Sequence, residues 1–265
     1  MARLTTGLYL LLAACGGGGG FPDAPPPDTT PGPTGNFSVA WSVVDQDNQP
    51  ISCERIAAQT VTVLAHNLAI DGGTPEAFTC STGMGTSQGL PPGQYEMGFE
   101  LYGADGVLAT GARQSPLTIT ANETLELDPV TLQVEALGGV SLKLSTGDPG
   151  GNCAGGAGID QMSITLAHKS DGTCEPITLT ISDGATQTGG SYTINCTTPL
   201  ERDCIDTDQV VSATGIPSDA YTITIRGMVA GATCWLNGDA IQVPPLNKTL
   251  LRTLNLAQQT QTPGC

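Results

Sequence analysis

An internal duplication limits the folds open to this 265-residue chain more than any other feature of its sequence. Three landmarks recur in the same order in both halves of the chain: alternating segments at 37–44 and 140–145, the words VTVLAHN and SITLAHK at 61–67 and 163–169, and the words GLPPGQY and GIPSDAY at 89–95 and 215–221. Alternation of apolar and polar residues is typical of strands with one buried face, and the 35 glycines and 19 prolines favour frequent turns. We therefore predict an all-β protein built from two related modules.

The predicted fold is two tandem antiparallel β-sandwiches, disulfide-stapled, which we place at 37–135 and 140–265. Short strands separated by turns at regular intervals are typical of such sandwiches. In each half a Pro-bearing turn leads into an alternating strand that begins at Tyr95 or at Tyr221. The connecting segment 136–139 is too short for free tumbling, so we expect the modules to contact each other or to hold a restricted angle.

The first module carries the motif of a known family. The G-x-x-P-G-x-Y stretch at 89–95 follows a β-rich segment with a D-x-x-N-Q-P turn at 45–50. Over 37–134 the chain resembles the carboxypeptidase-regulatory-like modules, which are transthyretin-like β-sandwiches common in bacterial surface proteins. The second half has Ser218-Asp219 in place of Pro-Gly and a Cys-containing insertion near 170–190. A generic immunoglobulin-like sandwich is the alternative for that half.

The N-terminus reads as an export signal. Residues 1–14 combine Arg3 with a short apolar stretch that cannot span a bilayer, which predicts a signal peptide. Leu12-Ala13-Ala14-Cys15 resembles the lipobox of bacterial lipoproteins, which implies cleavage before Cys15 and a diacylglyceryl group on its thiol, with palmitate among the acyl chains. The alternative is an ordinary secretory peptide with an incidental cysteine. Gly16, where an Asp would imply inner-membrane retention, favours the outer membrane, with the body periplasmic or surface-exposed.

The segment after the signal peptide is predicted to be a disordered tether. Residues 15–36 begin with five glycines after Cys15 and continue with a Pro-rich stretch. Glycine-rich chains are flexible and Pro-rich chains are extended, so this segment forms a spacer and not a packed domain. We expect contact with the membrane through the N-terminal lipid only.

The cysteines predict an oxidising compartment. Eight remain when Cys15 is removed, and no C-x-x-C spacing is present, so four disulfides are more plausible than a metal site. The repeat pairs Cys53 with Cys80, and by equivalence Cys153 with Cys196. Three connectivities are open to the remaining four residues; we favour Cys174 with Cys204 and Cys234 with Cys265.

The charge of the chain excludes one class of partner. The formal net charge is −16, with nine Lys and Arg residues against 25 Asp and Glu residues. Such a chain repels phosphate backbones, so nucleic-acid binding is not expected. The acidic residues are scattered, as on a solubilising surface.

We expect no catalytic residues and no cofactor, and thus no enzyme. Ser87 lies in a G-x-S-x-G pattern at 85–89, but the following Leu90-Pro91-Pro92-Gly93 cannot start the helix that a nucleophile elbow needs. His66 and His168 occupy matched places in the repeat, which two copies of one ancestral strand explain. With no second imidazole or thiolate ligand near in sequence, neither is expected to bind a metal.

Two weaker ligand hypotheses rest on carboxylates and aromatic residues. Oxygen ligands for Ca²⁺ could come from two groups that lack the full EF-hand spacing, Asp45, Asp47 and Asn48 in one and Glu201, Asp203, Asp206 and Asp208 in the other. Stacking on a sugar ring needs an exposed aromatic side chain. Trp41 and Tyr95 are predicted to lie in the core, which leaves Trp235 as the candidate.

The sequence therefore favours a non-catalytic, lipid-anchored envelope protein that binds a partner or has a structural role. The partner expected is an unidentified envelope protein or polysaccharide. A glycan-binding module and a Ca²⁺-stabilised adhesion module are the alternatives.

Overall fold

The computed structural model describes residues 32–70, 72–183, 190–195 and 202–265. The lipobox with Cys15, most of the tether, Cys196 and Glu201 lie outside the described residues. The part of the chain that is described contains no helix long and apolar enough to cross a bilayer.

The first half of the described chain forms a sandwich of two sheets. Its strands are β1 (Asn36–Val44), β2 (Ala58–Asn67), β3 (Gly73–Thr79), β4 (Met84–Thr86), β5 (Gly93–Gly103), β6 (Gly106–Thr110), β7 (Gln114–Ile119), β8 (Thr124–Glu126) and β9 (Val130–Gln133), with a short 3-10 helix at Cys80–Thr82. One sheet has the order β4-β1-β8, with β9 also paired to β1, and the other has the order β3-β2-β5-β6, with β7 also paired to β5. Alternate residues of these strands, such as Phe37, Val63 and Phe99, bury themselves in one core.

The second half forms a larger sandwich around a second core. Its strands are β10 (Leu137–Ser145), β11 (Gln161–His168), β12 (Ile177–Ser182), β13 (Ser191–Ile194), β14 (Arg202–Asp203), β15 (Val210–Pro217), β16 (Ala220–Val229), β17 (Ala232–Gln242), β18 (Thr249–Asn255) and β19 (Ala257–Gln258). The two sheets have the orders β13-β12-β15-β10-β18 and β14-β11-β16-β17-β19. Leu142, Ile164, Val211 and Ile225 are among the residues buried between them.

The all-β prediction is confirmed, with one refinement of strand direction. Most strand pairs are antiparallel, but the first strand of each sandwich pairs in parallel with a strand near the end of that sandwich, β1 with β8 and β9, and β10 with β18. Parallel neighbours need a crossover connection. Both halves supply one, because the chain leaves the sheet of β7 or of β17 and enters the opposite sheet.

The short connection between the sandwiches is part of the hydrogen-bonded structure. Ala136 donates its N–H to Gln46 Oε1 at 3.1 Å, and its carbonyl accepts the N–H of Ser218 at 2.7 Å. Leu246 donates to the carbonyl of Glu135 at 2.8 Å and packs against the core of the first sandwich. Residues Pro33–Cys265 accordingly form one compact unit. The boundaries 37–135 and 140–265 remain our proposed division of that unit.

The disulfides agree with the sequence in part. Cys53 pairs with Cys80 and Cys234 with Cys265, as expected. The expected pairs Cys153–Cys196 and Cys174–Cys204 are wrong, because Cys153 is bonded to Cys204. Cys174 is also disulfide-bonded.

The neighbour of Cys153 explains that correction. The side-chain amide of Asn152 donates to the carbonyls of Leu144 and Ile205, both at 3.0 Å, and the N–H of Asn152 donates to Asp206 Oδ1 at 2.8 Å. These bonds hold the glycine-rich loop against the segment that contains Cys204. The repeat did contain a signal for this pairing, since Cys80 precedes Tyr95 by 15 residues and Cys204 precedes Tyr221 by 17, whereas Cys196 precedes Tyr221 by 25.

Candidate functional site

A Pro-bearing turn that ends in a buried tyrosine is built in the same way in both sandwiches. Tyr95 donates its hydroxyl to the carbonyl of Pro91 at 2.8 Å, and Tyr221 donates to the carbonyl of Pro217 at 2.8 Å. A tyrosine that bonds back to the backbone a few residues upstream is a feature of immunoglobulin-type sandwiches. Burial raises the pKa of Tyr221, and the nearby carboxylates of Glu175 and Asp219 add to that effect.

The strand beside each tyrosine ends differently in the two sandwiches. His168, at the end of β11, lies opposite Tyr221 with ring centroids 4.6 Å apart, whereas Asn67 lies opposite Tyr95. His66 faces Glu96 on the other face of its sheet. The prediction that the two histidines are equivalent is therefore wrong by one residue.

His168 is held between two carboxylates. Its Nδ1 lies 2.8 Å from Asp219 Oδ2 and its Nε2 lies 3.0 Å from Glu175 Oε2. Both ring nitrogens can donate only when the imidazole is protonated. Burial alone would lower the pKa of His168, but the hydrogen bonds and negative charges of Asp219 and Glu175 raise it above its ordinary value. The two carboxylates therefore favour the protonated form of His168.

The cluster extends to the first sandwich through Arg55. Arg55 Nε lies 3.7 Å from Asp219 Oδ2, and Gln242 donates its side-chain amide to the carbonyl of Arg55 at 3.1 Å. A cleft of about 580 Å³ adjoins these groups, and its lining is mostly polar: Ser52, Glu54, Arg55, His168, Lys169, Ser170, Asp171, Thr173, Asp219 and Ala220. The residues His168, Glu175, Asp219 and Arg55 are called the His168 cluster below.

The geometry of the His168 cluster favours a structural role. A general base needs a free ring nitrogen within reach of the proton that it removes. Here both nitrogens already bond to carboxylates, so none is left to activate the hydroxyls of Ser52, Ser170 or Thr173 in the cleft. The cluster instead ties the start of β12 and the β15–β16 turn to one side chain.

His168 could be singled out from the sequence, but its three partners were not. The repeat contained a signal for one of them, since Asp219 stands where the first module has Gly93. In the first sandwich a Cβ on Gly93 would lie 3.2 Å from Asn67 Nδ2, so the same two positions are also neighbours there. His168 and Asp219 thus occupy the positions in the second sandwich that Asn67 and Gly93 occupy in the first.

Ser87 is part of the backbone ladder. Its Oγ accepts the N–H of Phe37 at 2.9 Å, and its own N–H donates to the carbonyl of Phe37 at 2.9 Å. The chain continues into a bridge between Gly35 and Leu90 and not into a helix. The hydroxyl is buried and occupied, which does not favour a nucleophile.

Two of the predicted calcium ligands, Asp45 and Asp206, accept backbone N–H groups, and Asp203 lies in β14. Asp45 Oδ1 accepts the N–H groups of Asp47 and Gln49, at 2.9 and 2.8 Å. Asp206 Oδ1 accepts the N–H groups of Asn152 and Thr207, both at 2.8 Å. Among the described residues, no three or more His, Cys, Asp or Glu side chains are grouped as metal ligands.

The three aromatic residues weighed for sugar stacking are buried or half-buried. Trp41 is 8% exposed and donates Nε1–H to the carbonyl of Cys80 at 2.9 Å, and Tyr95 is 2% exposed. Both therefore lie in the core, as predicted. Trp235 is half-buried against the second core, with Nε1 3.3 Å from the carbonyl of Ala157. This placement does not favour the glycan-binding alternative.

Comparison with known proteins adds only distant likenesses. No protein family and no curated protein matches the sequence. The Bacillus anthracis TIE protein is similar over 85% of this chain and 34% of its own length, with a TM-score of 0.34 and 12% identity. The shaft pilin SpaA of Lactobacillus rhamnosus GG aligns with 85% of this chain and 98% of its own, with a TM-score of 0.30 and 10% identity.

A third structure is similar to the same degree. GBS52, the minor pilin of Streptococcus agalactiae, aligns with 85% of this chain and 96% of its own length, with a TM-score of 0.30 and 12% identity. The chain spans about a third of the length of the TIE protein. At this level of similarity none of these proteins assigns an activity to the chain.

Proposed function

We propose that this chain is a non-catalytic, lipid-anchored envelope protein whose joined sandwiches act as a structural or binding arm. The lipobox-like residues Leu12 to Cys15 support the anchor. The tether that follows would hold the folded body tens of ångströms from the membrane, at about 3.1 Å per residue where proline keeps it extended. The disulfides fit an oxidising compartment outside the cytoplasm.

The observation that carries the proposal is the joint between the two sandwiches. Ala136 is hydrogen-bonded on both sides, and Leu246 from the second sandwich packs on the first core. Gly138 passes so close to Pro244 that a Cβ would lie 1.9 Å from its carbonyl oxygen. A joint of this kind suits an arm that presents a surface at a fixed distance, and the His168 cluster adds an ion pair across it.

The anchor is tested by labelling cells with radioactive palmitate. We expect the label in the wild-type protein and none in Cys15→Ser, which keeps the length of the leader. The matched control is Gly16→Asp, which should keep the label and move the protein to the inner-membrane fraction. Label that persists in Cys15→Ser, or a wild-type protein without label, would contradict the proposed anchor.

A further inference from the structure

Two equivalent strands, one in each sandwich, differ in the number of strands that pair with them. In the second, β15 pairs with β10 on one side and with β12 on the other. In the first, β4 holds the place of β15, since Thr86 precedes Tyr95 by the same number of residues as Ser212 precedes Tyr221. Within the described residues β4 pairs with β1 alone and ends the sheet order β4-β1-β8.

The path of the next strand explains the difference. After β11 the chain enters β12, which joins the sheet of β15 through the pairs Thr180 with Ser212, Ile181 with Val211 and Ser182 with Val210. After β2 the chain enters β3, which stays beside β2 in the other sheet. The edge of β4 therefore lacks, in the described structure, the strand that its counterpart has.

The backbone of β4 presents hydrogen-bonding groups at this edge. Trp41 donates its N–H to the carbonyl of Gly83, and Ser87 donates to Phe37, both at 2.9 Å. Because alternate residues face alternate sides of a ladder, Met84 and Thr86 direct their N–H and C=O groups away from β1. The carbonyl of Met84 accepts the hydroxyl of Thr82 at 2.9 Å. Met84 is 68% exposed, so the edge is accessible.

The inner side of the edge is apolar, because the ring of Phe78 covers Gly85 there. Gly85 has no side chain, and a Cβ there would lie 2.4 Å from the ring of Phe78. Phe78 is half-buried and packs on Trp41, with ring centroids 5.9 Å apart. At the equivalent place in the second sandwich, Ile181 lies opposite Val211 and is 2% exposed. A strand added to β4 would direct its central side chain against Phe78.

The negative charge of the first sandwich indicates which kind of segment would bind at the β4 edge. Residues 33–135 contain twelve Asp and Glu residues and two Arg residues, and both arginines already face carboxylates, Arg113 that of Glu96 and Arg55 that of Asp219. The cleft of about 690 Å³ beside β4 is lined by Glu126 and Asp128 and by no basic residue. Like charges across an interface cost several kcal/mol, so a basic occupant fits best.

The two occupants that this chain itself could supply fit less well. A second copy carries the same net charge of −16 and would be repelled. The tether at 16–31 contains two Asp residues, five prolines and no Lys or Arg. Proline has no N–H to donate to a ladder.

We propose that the β4 edge accepts an extended, basic segment of a partner protein as an added antiparallel strand opposite Met84–Thr86, with an apolar residue opposite Gly85. This inference deepens the binding role proposed above. It does not depend on the lipid, so full-length Cys15→Ser protein can be used and a negative result leaves the anchor untouched.

The probe is a synthetic peptide with the β12 sequence ITLTIS between two pairs of lysines. Fluorescence anisotropy measures the binding of this peptide. Hydrogen exchange measures whether the backbone amides of Met84 and Thr86 become protected when it binds. Thr86→Pro removes an outward N–H and should weaken binding by about tenfold or more. Thr86→Val keeps the N–H and a β-branched side chain, and should stay within about twofold of the parent.

Controls in the peptide make the test independent of the folding of Thr86→Pro. N-methylation at the positions of Thr180 and Ser182 should abolish binding, whereas N-methylation at the position of Ile181, whose N–H points away, should leave it unchanged. Glutamate in place of the lysines should weaken it. Absence of binding by the lysine peptide, or equal binding by all N-methyl forms, would overturn the proposal. In cells, a photo-crosslinker at Met84 that captured only the tether or a second copy would also overturn it.

Discussion

The first and second sandwiches share the contacts that set their topology and differ in how their edges are closed. Both fasten a Pro-bearing turn with the hydroxyl of a buried tyrosine, and both place a late strand, β9 or β18, in parallel beside the first strand. The first keeps β4 single-sided and has one disulfide in the described structure, whereas the second adds β12 and β13 and carries more bridges. The contacts that both sandwiches share are those that set the topology. The strands and disulfides present only in the second sandwich stabilise the edges of that copy.

The same comparison separates the two ends of the tyrosine strands. Asn67 and Gly93 in the first sandwich are small and neutral, while His168 and Asp219 in the second form an ion pair that reaches Arg55. Burying a charge is costly unless it is paired. The second copy meets this condition with two carboxylates around one imidazolium, and in doing so gains a contact with the first.

The largest expected effect comes from the disulfide of the first sandwich. Replacing Cys53 and Cys80 by serine removes a cross-link with a sequence separation of 27, which should lower the free energy of unfolding by about 4 kcal/mol. Calorimetry should then show the first sandwich melting in a separate, earlier transition. The control is Cys153→Ser with Cys204→Ser, which removes a bridge with a sequence separation of 51 and a similar free energy, but leaves Cys234–Cys265, so the second sandwich should stay folded. An unchanged single transition for the first variant would remove the asymmetry that we infer.

The His168 cluster should give the next largest effect. His168→Asn, which copies the first sandwich, removes the imidazole from between two half-buried carboxylates, leaves only Arg55 beside Asp219, and should cost about 2 kcal/mol at mildly acidic pH. Because the folded-state pKa of His168 is raised, its contribution is complete below the ordinary pKa of about 6.5 and is lost as pH rises through the folded value.

Urea titrations of wild type and variant across pH check this sign. The difference between them should be greatest at about pH 6 and shrink on the alkaline side. Asn67→His is the control, because Gly93 provides no carboxylate and no such pH dependence should appear. A difference in the free energy of unfolding that grew as the pH rose would contradict a protonated His168 in the folded protein.

The two tyrosine hydroxyls should have smaller and equal effects. Tyr95→Phe and Tyr221→Phe each remove one hydrogen bond of 2.8 Å from a buried ring and should each cost about 1 kcal/mol. Chemical denaturation of both variants checks the equality. A marked effect in one sandwich and none in the other would show that the shared turn has lost its role in one copy.

The smallest effect is expected at Arg55. Arg55→Gln removes an ion pair of 3.7 Å from a side chain that is 40% exposed, and such pairs contribute about 0.5 kcal/mol. The change in stability should fall further in high salt, since solvent screens exposed pairs. Leu246→Ser, which withdraws an apolar contact from the first core, should cost more; if Arg55→Gln cost more than Leu246→Ser, charge and not packing would hold the joint.

Much of this architecture could be predicted from the sequence because it depends on local patterns of residues. Alternation identified β1 and β10, and the repeated turn located Tyr95 and Tyr221 together with their buried strands. The missed elements depend on contacts that alternation does not encode. Alternation gives the faces of a strand but not its sheet, so the departure of β12 from the path of β3 could not be foreseen.

Register was the second limit. The letters of VTVLAHN and SITLAHK align His66 with His168, yet pairing with the tyrosine strands aligns His168 with Asn67. A shift of one residue moves a side chain to the opposite face of a sheet. The sequence match between the two seven-residue segments therefore concealed the His168 cluster, because the two matched histidines differ by one strand position in the structure. The bond between Cys153 and Cys204 was missed for a similar reason, since Cys80 was matched with Cys196 although Cys204 stands nearer to the equivalent place before the tyrosine.

The covalent state of the protein in the envelope decides most directly whether it is an exported, oxidised arm. Peptide mass spectrometry of non-reduced protein purified from that fraction should show an N-terminal Cys15 that carries acyl chains, and should join Cys53 to Cys80, Cys153 to Cys204 and Cys234 to Cys265. A peptide that retained the leader unmodified, together with free thiols at these positions, would contradict an exported and oxidised arm.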